Sequence, residues 1–185
     1  MRSRLADQGL YEQRYEHDAC GIGAVVRIHG HPDHSILSYG RQILVNLRHR
    51  GAAGADNTTG DGAGILFQIP KDLFSAECRQ KGILLPPPGR YGVGMVFGPK
   101  DDVRTRSGCN QILESSILHC GLKVLGWRDV PVRPDCLGPI ALAAEPCIQQ
   151  VFVDGAGLED LALERRLFMA RKRTERRVRE QFGAQ

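Results

Sequence analysis

Three places in the sequence carry groups able to do chemistry. Cys20 stands in EHDACGIGAVVRI, a thiol at the entrance of an apolar run and behind a polar leader. A thiolate so placed is an acyl-transfer nucleophile when a base is at hand, and small buried filler when none is. Arg50 closes the next helical pattern within His49-Arg50-Gly51, where an arginine ordinarily complements the helix dipole and caps carbonyls. The loop that follows ends in GDGAG at 60–64, with Asp61 and Gly62 at its centre. It looks like a phosphate cradle, yet it precedes a strand pattern, so no helix N-terminus is available to hold an anion. Each feature alone reads as structural; in succession they read as one site.

Other chemistries lack their signatures. No G-x-G-x-x-G opens a helix behind a strand, and neither a G-x-x-x-x-G-K-[ST] loop nor a G-x-S-x-G elbow occurs. Cys20, Cys78, Cys109, Cys120, Cys136 and Cys147 are scattered without a C-x-x-C pair, so no metal site is expected and most should be reduced, buried apolar groups. His29, His31 and His34 fall around a turn without acidic or thiol partners and read as surface residues. A net charge of +4 is concentrated in one C-terminal stretch from Arg165 to Arg179, which reads as a solvated helix face; nucleic acid binding is not expected.

The elements that must position these groups follow from periodicity. Residues 21–28 predict a buried strand, and Ile36, Leu37, Ile43, Leu44 and Leu47 recur at helical spacing over 35–49, capped by Asp33 or Ser35 and closed by Gly51. Residues 48–64 predict a long surface loop, of a length that tends to be functional. A strand over 65–70 and a helix over 72–80 come next, then a strand over 91–97 and a helix capped by Asp101 or Asp102 that runs to His119 and stops at Gly121. Strands over 123–130 and 147–153 flank an apolar segment at 137–144. From Leu158 a basic helix puts Leu161, Leu163, Leu167, Phe168 and Met169 on its apolar side. The mixture lacks strict strand-helix alternation and predicts an α+β domain with a largely antiparallel sheet. No stretch reaches the ~20 apolar residues needed to cross a bilayer, and residues 1–19 lack the apolar centre of an export signal, so no membrane association and a cytoplasmic location are expected.

CGIGAVV from Cys20, LVNLRHRGAAGADNTTGDGAGILFQIP from Leu44, RYGVGMVF from Arg90, LGWRDVPV from Leu125 and EPCIQQVFV from Glu145 together resemble the amidotransferase domain of the glutamate synthase large subunit. The H-R-G element is shared by class II amidotransferases at large; the combination with TGDGAGI and LGWRDVPV is more specific. The resemblance implies an N-terminal-nucleophile hydrolase with a four-layer αββα sandwich, residues 1–19 removed as a propeptide, and residues 20–185 forming the glutaminase domain. It makes Cys20 the catalytic nucleophile, with Arg50, His49 and Gly51 as active-site support and a loop contribution from Asp61 and Gly62. A cysteine at a chain terminus carries its own base, since a thiol titrates at about 8.5 and an α-amino group at about 8.

The resemblance also implies L-glutamine as substrate and ammonia passed to a synthase domain that makes L-glutamate from 2-oxoglutarate. FMN and an iron-sulfur cluster would serve that domain, with electrons from an NADPH-linked small subunit or from ferredoxin; no cofactor is expected within these residues. The family's Asn-Gly oxyanion pair and its carboxylate-gripping arginine have no match here, so the domain is expected to be incomplete at its C-terminus. Losing one oxyanion donor lowers turnover about a hundredfold to a thousandfold. Two other functions fit the residues less well: another class II amidotransferase serving a different acceptor, and a non-catalytic module with a basic partner-binding tail.

Overall fold

A computed structural model describes residues 21–51, 54–56, 58–60 and 62–183 of the 185-residue chain. They form two compact units, Met1–Phe67 with Gly138–Ile140, and Gln68–Leu137 with Ala141–Gln185.

In the first unit Asp33 caps α1 (His34–Asn46), its Oδ1 accepting from Ser35 N at 2.7 Å. Arg27 holds the other carboxylate oxygen at 2.6 Å. A 3₁₀ turn, Leu47–Arg50, continues the helix to Gly51. The expected strands over 21–28 and 65–70 are not formed: both segments are irregular, with Ile22 89%, Ile28 93% and Leu66 100% exposed. Strand pattern supplies an apolar face but not the backbone partners that a ladder requires, and no strand lies beside either segment among the described residues.

The second unit opens with α2 (Lys71–Gln80), followed by β1 (Tyr91–Gly98), α3 (Val103–His119), β2 (Lys123–Asp129), a 3₁₀ turn at Pro134–Cys136, α4 (Pro139–Ala143, which begins in the first unit's strap), β3 (Cys147–Asp154) and α5 (Asp160–Phe182). The strands order as β1-β3-β2, every pairing antiparallel, with Tyr91 opposite Asp154 and Trp127 opposite Val151. The fold is therefore α+β around an antiparallel sheet; a second sheet is not present among the described elements.

The period of two along β3 divides the core. Val151 and Val153 face α3 and α5 with Ile117, Cys120, Leu122, Leu163 and Ala170, while Phe152 faces α2 with Phe74 and Cys78. On the α2 side Arg128 is 8% exposed; it donates to Glu77 Oε2 at 2.9 Å and to Gln150 Oε1 at 2.9 Å, so a buried guanidinium is paired rather than orphaned. Asp102 caps α3 as expected, accepting from Thr105 N at 2.9 Å.

Two sequence expectations need adjusting. Leu163 and Ala170 are the buried side of α5, whereas Leu161, Phe168 and Met169 are exposed, because consecutive residues at 100° steps cannot share one face. Cys78 and Cys120 are buried as expected, but Cys136 lies exposed.

The turn between β3 and α5 is closed by Gly155 N donating to Arg90 O at 2.9 Å, Leu158 N to Gly155 O at 3.0 Å and Ala156 N to Asp154 Oδ1 at 2.9 Å. A Cβ at Gly155 would meet Leu158 O at 2.8 Å and Arg90 O at 2.9 Å, neither of which can swing away. Gly155→Ala is expected to destabilise this unit by about 1–3 kcal/mol, read as a lowered midpoint in urea titration.

Candidate active site

Helix α1 and its 3₁₀ extension carry His49, Arg50 and Gly51. Ile36, Gly40, Ile43 and Leu47 form one row of α1, and the extended segment after residue 20 lies along it. Gly21 sits against Leu47, and Gly23 so close to Ile43 that a side chain there would collide. The two pairings show the segment running antiparallel to the helix, with its leading end toward the turn that bears Arg50. Residues 64–67 complete the walls of an open apolar cleft of ≈ 370 Å³.

His49 Nδ1 lies 2.8 Å from Asn46 O, an engagement that ties the ring to the turn. Gly51 N donates to Arg48 O at 3.2 Å, after which the backbone leaves in an extended conformation. Arg50 is exposed at the end of this turn. Gly62 is exposed, with open space around its Cα. Cys20 and Asp61 lie outside the described residues, so the structure brings His49, Arg50 and Gly51 together on one turn and leaves the other assignments unaddressed.

The loop between Gly51 and Gly64 is organised by a residue the sequence reading passed over. Asp56 Oδ1 accepts from Thr59 N at 2.7 Å and Thr58 N at 3.1 Å, and its Oδ2 accepts from Thr59 Oγ1 at 2.6 Å. Gly54 N donates to Thr59 O at 2.5 Å, which closes the turn. Ile140 N, 84 residues away in sequence, donates to Asp56 Oδ2 at 3.3 Å. The available signal was the Asp-x-Thr-Thr spacing, in which a carboxylate can bond backbone N–H groups two and three residues on.

These donors, the Thr59 hydroxyl first and the Thr59 N–H next, hold the Asp56 carboxyl well below its ordinary value of 3.8. For a depressed carboxylate the stabilisation is fully present above the unfolded value and is lost as pH falls through the folded one. The Thr58, Thr59 and Ile140 amide resonances should therefore stay constant from neutral pH down to about 3.8 and move only in stronger acid. Titration of those amides at higher pH would show that the carboxylate is not so held.

Among the described residues, no three of His, Cys, Asp and Glu gather to hold a metal ion. No helix there is long and apolar enough to cross a membrane.

Comparison with known proteins adds what geometry alone does not. Residues 20–185 match the model of the glutamine amidotransferases class-II. The chain belongs to that family. It is 43% identical over 173 residues to the glutamate synthase [NADPH] large chain of Bacillus subtilis, across 91% of this chain and 11% of that relative. It is 43% identical over 147 residues to the glutamate synthase [NADH] of Saccharomyces cerevisiae, across 77% of this chain and 7% of the relative. To the ferredoxin-dependent glutamate synthase 2 of Synechocystis it is 37% identical over 179 residues, covering 96% of this chain and 11% of the relative. The chain thus spans about a tenth of the length of the curated relatives it matches.

Proposed function

We propose that this chain is the glutaminase part of a glutamate synthase, with Cys20 as an N-terminal nucleophile. The observation that carries the reading is that the match to the amidotransferase family begins on Cys20 itself. The path of the next residues supports it, since Gly21 packs on Leu47, three residues before Arg50.

Removal of residues 1–19 would leave Cys20 with a free α-amine on the same residue. The amine accepts the thiol proton as sulfur attacks the side-chain carbonyl carbon of L-glutamine. Collapse of the tetrahedral adduct breaks the C–N bond, and the proton held by the amine leaves with nitrogen as ammonia. A glutamyl thioester remains on Cys20; water adds to it, releases L-glutamate and returns the proton to sulfur. Arg50, steadied by the turn that His49 and Gly51 close, supports the substrate end of the site, and Asp61 and Gly62 contribute from the loop.

In the assembled enzyme the ammonia is consumed with 2-oxoglutarate in a synthase domain. FMN and an iron-sulfur cluster belong to that part and supply its electron transfer, with NADPH through a small subunit, or ferredoxin, as donor in a cytoplasmic setting. The fold that goes with this reading is the four-layer αββα sandwich of the N-terminal-nucleophile hydrolases.

The test uses 6-diazo-5-oxo-L-norleucine, a glutamine analogue that alkylates nucleophiles. A single adduct on Cys20, prevented by L-glutamine, is expected; an adduct elsewhere, or one that L-glutamine does not prevent, contradicts the reading. Glutamate formation from 2-oxoglutarate by the assembled enzyme separates it from a class II amidotransferase that feeds a sugar phosphate.

A further inference from the structure

Asp56 makes contacts that a simple connecting loop does not need. One carboxylate oxygen organises the turn through Thr58 N and Thr59 N. The other reaches Ile140 N on a strap that returns from far along the chain. The strap is seated closely. Gly138 is buried, and a Cβ there would meet Thr58 Oγ1 and Thr59 Oγ1 at 2.5 Å and Thr59 N at 2.6 Å. The strap Gly138–Ile140 groups with the first unit although the residues on both sides of it belong to the second. The loop so fastened begins at Gly51, directly after Arg50, and returns through Gly62 to the cleft wall at Gly64.

We propose that Asp56 is a positioning residue of the amidotransferase site, its carboxylate latching the loop after Arg50 and Gly51 onto the strap Gly138–Ile140. This rests on the reading of Cys20, Arg50 and the glycine-rich loop as that site. Unlatched, a loop rich in glycine samples many conformations, and the groups at its two ends lose their fixed separation. Displacements of about 1 Å at a reacting site can cost a hundredfold in rate.

Asp56→Ala removes every acceptor. Asp56→Asn is the discriminating variant, because its amide oxygen can still accept from Thr58 N and Thr59 N while its NH₂ cannot accept from Ile140 N. The full chain and both variants are treated with 6-diazo-5-oxo-L-norleucine, and in parallel with iodoacetamide, which needs no glutamine site. Cys78, fully buried in the second unit, reports global unfolding.

Both variants are expected to alkylate Cys20 with the analogue roughly tenfold to a hundredfold more slowly, through weaker saturation by the probe. Iodoacetamide reaction at Cys20 stays near that of the parent and Cys78 remains unlabelled. Asp56→Asn keeps slow amide exchange at Thr59 while Ile140 becomes fast. Unchanged labelling by the analogue in both variants overturns the proposal and leaves the function standing. Exposure of Cys78 in both overturns it too, since Asp56 then holds the fold and not the site. If the parent chain shows no glutamine-protected adduct on Cys20, the reading of the site fails and the positioning role falls with it.

Discussion

Replacing Cys20 by alanine is expected to abolish both covalent labelling by the glutamine analogue and ammonia release from L-glutamine. The sulfur is the only atom assigned to attack the amide, so nothing substitutes for it, and removal of an attacking group alone has cost on the order of a millionfold where such sites have been dissected. Cys20→Ser is expected to fall far short of the parent, because a hydroxyl ionises much less readily than a thiol beside the same amine. Steady-state ammonia release and intact mass after labelling check both variants. Retention of glutamine-protected labelling by Cys20→Ala would move the nucleophile elsewhere. Labelling, which consumes the nucleophile once, is the more sensitive readout.

The largest stability effect is expected at Phe152. It is wholly buried on β3, the central strand between β1 and β2, and meets Phe74 of α2 edge to face with ring centroids 5.3 Å apart. Phe152→Ala removes the ring from a site bordered by Cys78, Ile83 and Tyr91, none of which can follow it far without leaving its own element. Such truncations cost about 3–5 kcal/mol, a large share of the roughly 5–15 kcal/mol that holds a domain folded. Urea titration of the parent and variant should show this as a fall in midpoint. Met95→Ala, on a side chain 49% exposed on β1, should change the midpoint little. Equal effects at the two positions would contradict the assignment of the core. A Phe74/Phe152 double-mutant cycle should return a coupling of about 0.5–1.5 kcal/mol for the ring pair.

What the sequence revealed depended on whether a segment completes its interactions nearby. Helices α1 and α3 were legible from Asp33 and Asp102, because a cap and an apolar row are local signals. The strand at β1 was legible from a run bounded by Gly89 and Pro99, and β3 from the apolar run Val151-Phe152-Val153, whose side chains are covered on both faces of the sheet. Residues 21–28 show the limit. Ile22, Val25, Val26 and Ile28 have strand composition, but a strand exists only when another backbone answers it, and this is a non-local fact. The Arg128 to Glu77 pairing was equally hidden: WRDV reads as a strand, and nothing in it names a carboxylate 51 residues earlier.

The candidate site divides the same way. His49, Arg50 and Gly51 could be placed on a helix end from spacing alone, while their assignment to glutamine chemistry comes from resemblance and is a proposal. Asp56 escaped because its second contact, to Ile140 N, lies 84 residues away in sequence. Asp61 was favoured for its glycine neighbours, though the neighbouring aspartate that holds the turn is distinguished by its threonines.

The central claim is that Cys20 becomes the first residue of the working chain. Intact mass measurement on the purified protein, after incubation under conditions where ammonia release is detected, tests it most directly. The account predicts a mass corresponding to residues 20–185, with the amine of Cys20 open to N-terminal sequencing. A chain that releases ammonia from L-glutamine while residues 1–19 remain joined to Cys20 would contradict it.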